Sequence, residues 1–211
     1  VYIPNNLSNE PDSIFWLTKT DGLYLFICPA NSNYLFVNEK TSKKGLSLHA
    51  YSKWYPLIRT NDDLIKPLRY LTTRKEYDKL VTAKNKKQAV DNFWISIAGD
   101  KERAKELIRH YYSRVQTANE LFNSYKEGWK TDRGMIYILF GPPTSMYKNS
   151  KSENWTYGQE NNYMSINFVF SNYKNNFTAN QFILNRSTIY KSNWYKAVDS
   201  WRQGRVFSHK Q

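Results

Sequence analysis

The stretch GWKTDRGMIYILFGPP, residues 128–143, decides how this chain is read. Gly128 and Gly134 bracket Trp129, Thr131, Asp132 and Arg133. A six-residue apolar run, Met135–Phe140, follows and ends at Gly141, Pro142 and Pro143. Each unusual residue has a local structural use. Gly128 can stop a preceding helix in the left-handed conformation, and Trp129 can fold back on that helix. Thr131-Asp-Arg-Gly134 has tight-turn chemistry, with Gly134 free to take a positive φ. Met135–Phe140 has the length of a buried strand, and Gly141-Pro-Pro forbids that strand from continuing. The stretch therefore reads as a helix–turn–strand corner.

Outward from the corner, residues 61–127 carry helical periodicity. Thr73-Arg-Lys-Glu76 is a capping box before a short helix ending near Ala83. Asn85 to Gln88 repeats the form, and the next helix puts Val90, Phe93, Trp94 and Ile97 on one face before Gly99. A longer helix starts near Asp100. It carries Leu107, Ile108, Tyr111, Val115, Ala118, Leu121, Phe122 and Tyr125 at i, i+3, i+4 spacing, up to Gly128. Beyond residue 134 the period becomes two. Strands are expected at Met135–Phe140, Asn154–Tyr157, Met164–Phe170 and Gln181–Leu184, then a last short helix through Trp194 and Trp201, closed by Gly204.

Residues 1–60 read as β-rich. Ile14–Leu17 and Leu23–Ile27 flank a hairpin signal at Thr18–Gly22, and Tyr34–Val37 is a third strand. Asn5–Asp12 and Asn38–Gly45 read as loops. The organisation expected is a β-rich segment over 1–60, the end of a larger β domain begun before Val1, and an α+β domain over 61–211. In that domain central helices pack on an antiparallel sheet.

The chain of 211 residues has a formal charge of +13, spread out rather than gathered in a tail. Residues 1–60 hold 6 basic and 4 acidic groups, residues 61–140 hold 16 and 11, and residues 141–211 hold 9 and 3. Such a surface suits an anionic partner. Lys, Asn, Tyr, Phe and Ile, all with A/T-rich codons, are also abundant, so base composition alone supplies part of the excess. No apolar run is long enough to span a membrane. Cys28 is the single cysteine, which excludes an internal disulfide and a cysteine zinc site; at the end of an apolar run it is expected to be buried.

Enzymatic chemistry finds little support. His49, His110 and His209 sit in no recognisable catalytic or metal-binding pattern, and no phosphate-binding glycine loop is present. Asp132 would need a second acid for paired-carboxylate work, and the nearest are Glu120 and Glu127, the latter expected to be solvated. Asn6-Leu-Ser and Asn154-Trp-Thr match glycosylation sequons. The aromatic content permits a sugar- or base-stacking platform, though the spacings favour core positions. No catalytic, cofactor or metal residues are expected. Arg114 falls at the edge of the long helix's apolar stripe and calls for an anion. The expectation is an Arg114–Asp132 or Arg133–Asp132 network under Trp129.

The quoted stretch resembles the signature of the GWxTD-domain family. Gly128, Trp129, Thr131 and Asp132 match the name, and Arg133, Gly134, Gly141, Pro142 and Pro143 continue the match. Phe93-Trp94, YYSRVQTANELF at 111–122 and NWTY at 154–157 resemble the family too, so the likeness covers about residues 65–200. The resemblance implies an exported cell-envelope protein of Gram-negative type, often a lipoprotein, with a β-rich region before the GWxTD unit. It implies a place in the envelope rather than a particular reaction. The expected function is a non-catalytic interaction module in the periplasm or at the outer membrane, an accessory subunit of an outer-membrane or secretion assembly. Its partners would be other envelope proteins, with anionic lipid or polymer next and nucleic acid below them. A lipid anchor would lie upstream of Val1. The alternative is a binder of nucleic acid or another anionic polymer through a basic, aromatic-rich surface.

Overall fold

A computed structural model describes residues 11–39, 42, 44–159, 162–173 and 175–207. The Asn6 sequon, His209 and most of the loop expected at Asn5–Asp12 lie outside them. The architecture is α+β, with helices layered on one face of an antiparallel sheet.

The helices follow their caps. Thr60 and Thr73 form capping boxes for α1 (Asn61–Ile65) and α2 (Arg74–Thr82), the latter with Glu76 accepting from Thr73 N–H. Glu76 is also clamped by the Arg202 guanidinium at 2.8 Å, which chiefly holds its carboxyl down to about 2. Asn85 caps α3 (Lys86–Ala98), and Gly99 ends it with φ +86°, as its sequence position implies. Asp100 caps α4 (Lys101–Leu121), whose stripe of Leu107, Tyr111, Val115 and Ala118 is buried.

The first departure from expectation comes here. Helix α4 ends at Leu121, with Phe122 as its cap, not at Gly128; Tyr125 lies beyond it. The second is larger. Met135–Phe140 is not a strand but most of a helix, α5 (Asp132–Phe140). It packs against α4 on one side and the sheet and α6 (Tyr190–Arg202) on the others, so Ile136, Ile138, Leu139 and Phe140 are all buried. A helix enclosed on every side shows no 3.6-residue alternation, and six consecutive apolar residues fit it as well as a strand.

The sheet is a four-stranded antiparallel meander in the order β5 (Ser145–Lys148), β6 (Ser152–Tyr157), β7 (Ile166–Asn172) and β8 (Phe182–Leu184). Its helix-facing side carries Trp155, Tyr157, Phe168, Phe170 and Phe182. Phe140 of α5 meets Phe168 at 5.0 Å and Phe122 meets Trp155 at 5.2 Å, which joins the two layers.

The region before α1 is different. β1 (Lys19–Thr20) and β2 (Leu23–Tyr24) form a hairpin over Asp21 and Gly22, both with positive φ; the turn is where expected but the strands are much shorter. β3 (Ser32–Phe36) pairs with β4 (Leu46–Ala50), a strand the sequence reading left out. Cys28 is exposed, not buried, because the strand it would close does not form. Polar contacts that hold the β3–β4 hairpin and the residues after it to the body include Ser47 Oγ to Asn176 O, His49 Nε2 to Phe177 O, Tyr51 Oη to Ser124 O and Tyr55 Oη to Asn119 O.

Candidate functional site

The signature residues gather where the end of α4, a 3₁₀ turn (Gly128–Lys130) and the start of α5 meet. Gly128 is not a left-handed helix stop. A Cβ on it would lie 1.9 Å from Ala118 O, so the residue is glycine because the backbone runs against α4. Gly134 is likewise helical rather than of positive φ. Its hypothetical Cβ would lie 2.0 Å from Gly128 O. The two glycines thus serve one close passage of three backbone segments. Gly141 does use its freedom, with φ +82°, and a Cβ there would press on Arg114 at 2.8 Å. Gly141-Pro142-Pro143 therefore ends a helix, not a strand.

Thr131 is the α5 N-cap. Its Oγ1 accepts from Gly134 N–H at 3.0 Å and donates to Gly128 O at 2.7 Å. The Trp129 ring is buried beside Tyr70. The Trp129 backbone N–H donates to Asn119 Oδ1 at 3.0 Å, and its backbone carbonyl accepts from Tyr70 Oη at 2.7 Å. Tyr55 Oη accepts from Gly128 N–H at 3.2 Å. Burial, opposed by the nearby Arg69, pushes the Tyr70 hydroxyl far up, and burial with the charge of Glu127 pushes Tyr51 up to about 12. These phenols are fixed hydrogen-bonding posts, not proton carriers near neutral pH.

The expected Arg114–Asp132 and Arg133–Asp132 pairs do not form, and Trp129 covers neither. Asp132, first residue of α5, looks toward β8: Oδ2 accepts from Leu184 N–H at 2.9 Å and Oδ1 from Arg186 Nη2 at 3.0 Å. Arg133 lies about 100° further round the helix and enters the core. At 2% exposure it donates to Glu153 Oε1 at 2.8 Å and to Asn180 O and Oδ1, both at 2.8 Å, with its guanidinium 4.4 Å from the Phe182 ring. Burial pulls its pKa down, opposed by Glu153. Arg114, on α4, meets α5 at its far end, nearly two turns past Asp132 and roughly 9–11 Å away by helical rise. It donates to the carbonyls of Ile138, Leu139 and Phe207 and lies 5.2 Å from the Trp201 ring. The negative end of α5, not a carboxylate, is the anion it meets.

The partner missed by sequence reading is Glu153. It is 1% exposed and gathers Arg133, Lys148 and the Trp155 indole N–H. Its only sequence signal is an acid at a core-facing alternate position of β6, beside Trp155. Glu127 is partly exposed and pairs with Lys130.

Nothing in this corner forms a nucleophile–base pair. His49 bridges Asn33 and Phe177, and His110 is exposed. Among the described residues no group of three or more His, Cys, Asp or Glu could hold a metal, and no helix is long and apolar enough to cross a membrane. An open cleft of about 530 Å³, lined by Glu102, Glu106, His110 and Arg205, contains none of the signature residues.

Comparison with known proteins adds the family. No curated protein and no solved structure matches the chain. The profile of the GWxTD domain matches residues 32–203, from β3 through the end of α6 and across the whole corner. With its signature glycines, Trp129, Thr131 and Asp132 each accounted for by the geometry above, the chain belongs to the GWxTD-domain family.

Proposed function

We propose that the protein is a non-catalytic interaction module of the bacterial cell envelope, an accessory subunit docking on an outer-membrane or secretion assembly from the periplasmic side. The observation that carries this reading is the apolar surface of residues 14–27. Trp16 is 75%, Leu25 79% and Ile27 89% exposed, and Ile14, Leu23 and Tyr24 are exposed with them. Isolated exposed apolar residues are ordinary; these six large ones, within fourteen residues of strand-forming sequence, suit a contact surface. The corner supports the same reading from the other side, since its polar side chains are spent on backbone groups and on ion pairs within the fold.

The test is affinity purification of the tagged full chain from gently solubilised envelopes. A fixed set of membrane proteins in constant ratio is expected, lost in Leu25→Asp/Ile27→Asp while the fold persists by circular dichroism. A free monomer, or an unchanged set with the variant, overturns the reading.

A second reading rests on the cations around Asp132. Lys126 and Lys130 flank the turn, with Arg69 and Arg186 nearby, and burial holds the Lys126 ammonium below its ordinary pKa. This would suit an anionic polymer. It requires binding that weakens about tenfold or more between 50 and 200 mM salt; a flat response eliminates it.

A further inference from the structure

The sheet has two edges, finished in opposite ways. On β8, Tyr173 N–H bonds Gln181 O at 2.7 Å and Asn185 N–H bonds Val169 O at 2.8 Å. Positions 181, 183 and 185 therefore face β7, and the backbone of Phe182 and Leu184 faces outward. The outward N–H of Leu184 is taken by Asp132 at 2.9 Å, and Arg186 covers the carboxylate. The signature aspartate closes this edge.

On β5, Asn149 N–H bonds Ser152 O at 2.9 Å across the hairpin. With the register Ser145↔Thr156 to Lys148↔Glu153, positions 145 and 147 bond β6. The N–H and C=O groups of Met146 and Lys148 point away from the sheet, where no strand lies among the described residues. Proteins keep such edges unpaired with charged side chains, Lys above all. Lys148 is the one charged residue of β5; its side chain stays half exposed while its ammonium is tied to Glu153 at 3.0 Å. The edge is left flanked by exposed Met146 and Tyr147. Tyr163 and Met164, also exposed, lie in the β6–β7 connection at the end where β5 begins.

We propose that β5 accepts an extended segment of a partner protein as a fifth strand, one that alternates apolar residues with carboxylates. Main-chain bonds to Met146 and Lys148 would hold it, and apolar side chains would cover Met146 and Tyr147. The carboxylates answer local charge: Lys148 and Lys151 are exposed at the hairpin turn, and Glu153, the acid beside them, already answers buried Arg133. A second copy, carrying +13 itself, fits less well. The proposal rests on the interaction reading above but concerns a different surface from residues 14–27.

The probe is an acetylated, amidated heptapeptide of alternating valine and glutamate, titrated into the full chain by NMR with amide hydrogen exchange. Saturable binding is expected, with the Met146 and Lys148 amides slowed about tenfold and Leu184 unchanged. Met146→Pro removes one outward N–H and leaves the β6 ladder intact. It should weaken binding about tenfold, while a valine–lysine peptide fails. No saturation by about 1 mM, equal binding by Met146→Pro, or protection elsewhere overturns the proposal. So does protection of both amides in a dimer without peptide, which would assign the edge to self-pairing. If Met146→Pro does not fold, the wild-type protection pattern decides. Failure here with the envelope set still captured through residues 14–27 removes this inference alone.

Discussion

The corner at residues 128–141 and the segment at residues 14–27 use the same residue types to opposite ends. Both are rich in aromatic and aliphatic side chains. In the corner, Trp129, Ile136, Ile138, Leu139 and Phe140 are buried, and the backbone is tied to α4, to Tyr55 and Tyr70, and to β8. In the N-terminal segment, Trp16, Leu25 and Ile27 stand in solvent, and the β1–β2 hairpin has two residues per strand. Apolar content therefore does not separate core from contact surface in this chain. What separates them is whether the local backbone is satisfied by the rest of the fold.

That contrast can be attacked at its strongest point first. Glu153→Gln removes the charge facing buried Arg133 and should destabilise the protein by about 3–5 kcal/mol, read by urea denaturation. Arg133→Met combined with Glu153→Leu should recover most of the loss; if Glu153→Gln alone costs under about 1 kcal/mol, the pair is not the anchor of the corner. Gly128→Ala comes next. The added methyl meets Ala118 O, and a loss up to about 3 kcal/mol is expected, whereas Gly22→Ala, with nothing within 4 Å, would test turn strain alone. Asp132→Asn keeps an acceptor for Leu184 N–H but gives up the charge toward Arg186 and the α5 N-terminus. A loss of about 1 kcal/mol is expected in the melting curve, and a larger one would make the carboxylate's charge central. Smallest of all, Leu25→Ser with Ile27→Ser should stay within about 0.5 kcal/mol of wild type, since neither side chain is buried. A clear destabilisation there would mean the segment packs in solution, and the comparison would fail.

Much of the architecture was legible because it is written locally. Thr73 with Glu76, Asn85, Gly99, Asp100 and Gly204 act where cap chemistry places them. The alternation of Ile166, Phe168 and Phe170 marks a half-buried strand because one face of the sheet is covered and the other is not. The misreadings share a cause. Helix α5 is enclosed by three neighbours, so its periodicity is erased. Gly128 is glycine because Ala118 of α4 lies against it, and Gly134 because Gly128 does, not because of their own dihedrals. The corner's residues stand together in the sequence, but their bonding partners do not. Glu153 and Leu184 are 20 and 52 residues from the groups they meet, and nothing in residues 128–143 specifies them.

Those long separations bear on the order of events when the chain folds. Gly128 to Tyr55 spans 73 residues, Trp129 to Tyr70 spans 59 and Asp132 to Leu184 spans 52, whereas the helix caps close over three. Loop closure over such lengths must precede any gain from the contacts. The corner is thus placed to lock late, after the helices and the sheet hairpins have formed. Substitutions in the signature should then accelerate unfolding and leave the folding rate nearly unchanged, which stopped-flow chevrons of Asp132→Asn would resolve. On that account the family signature sets how long the native molecule lasts between openings, more than how fast it is reached.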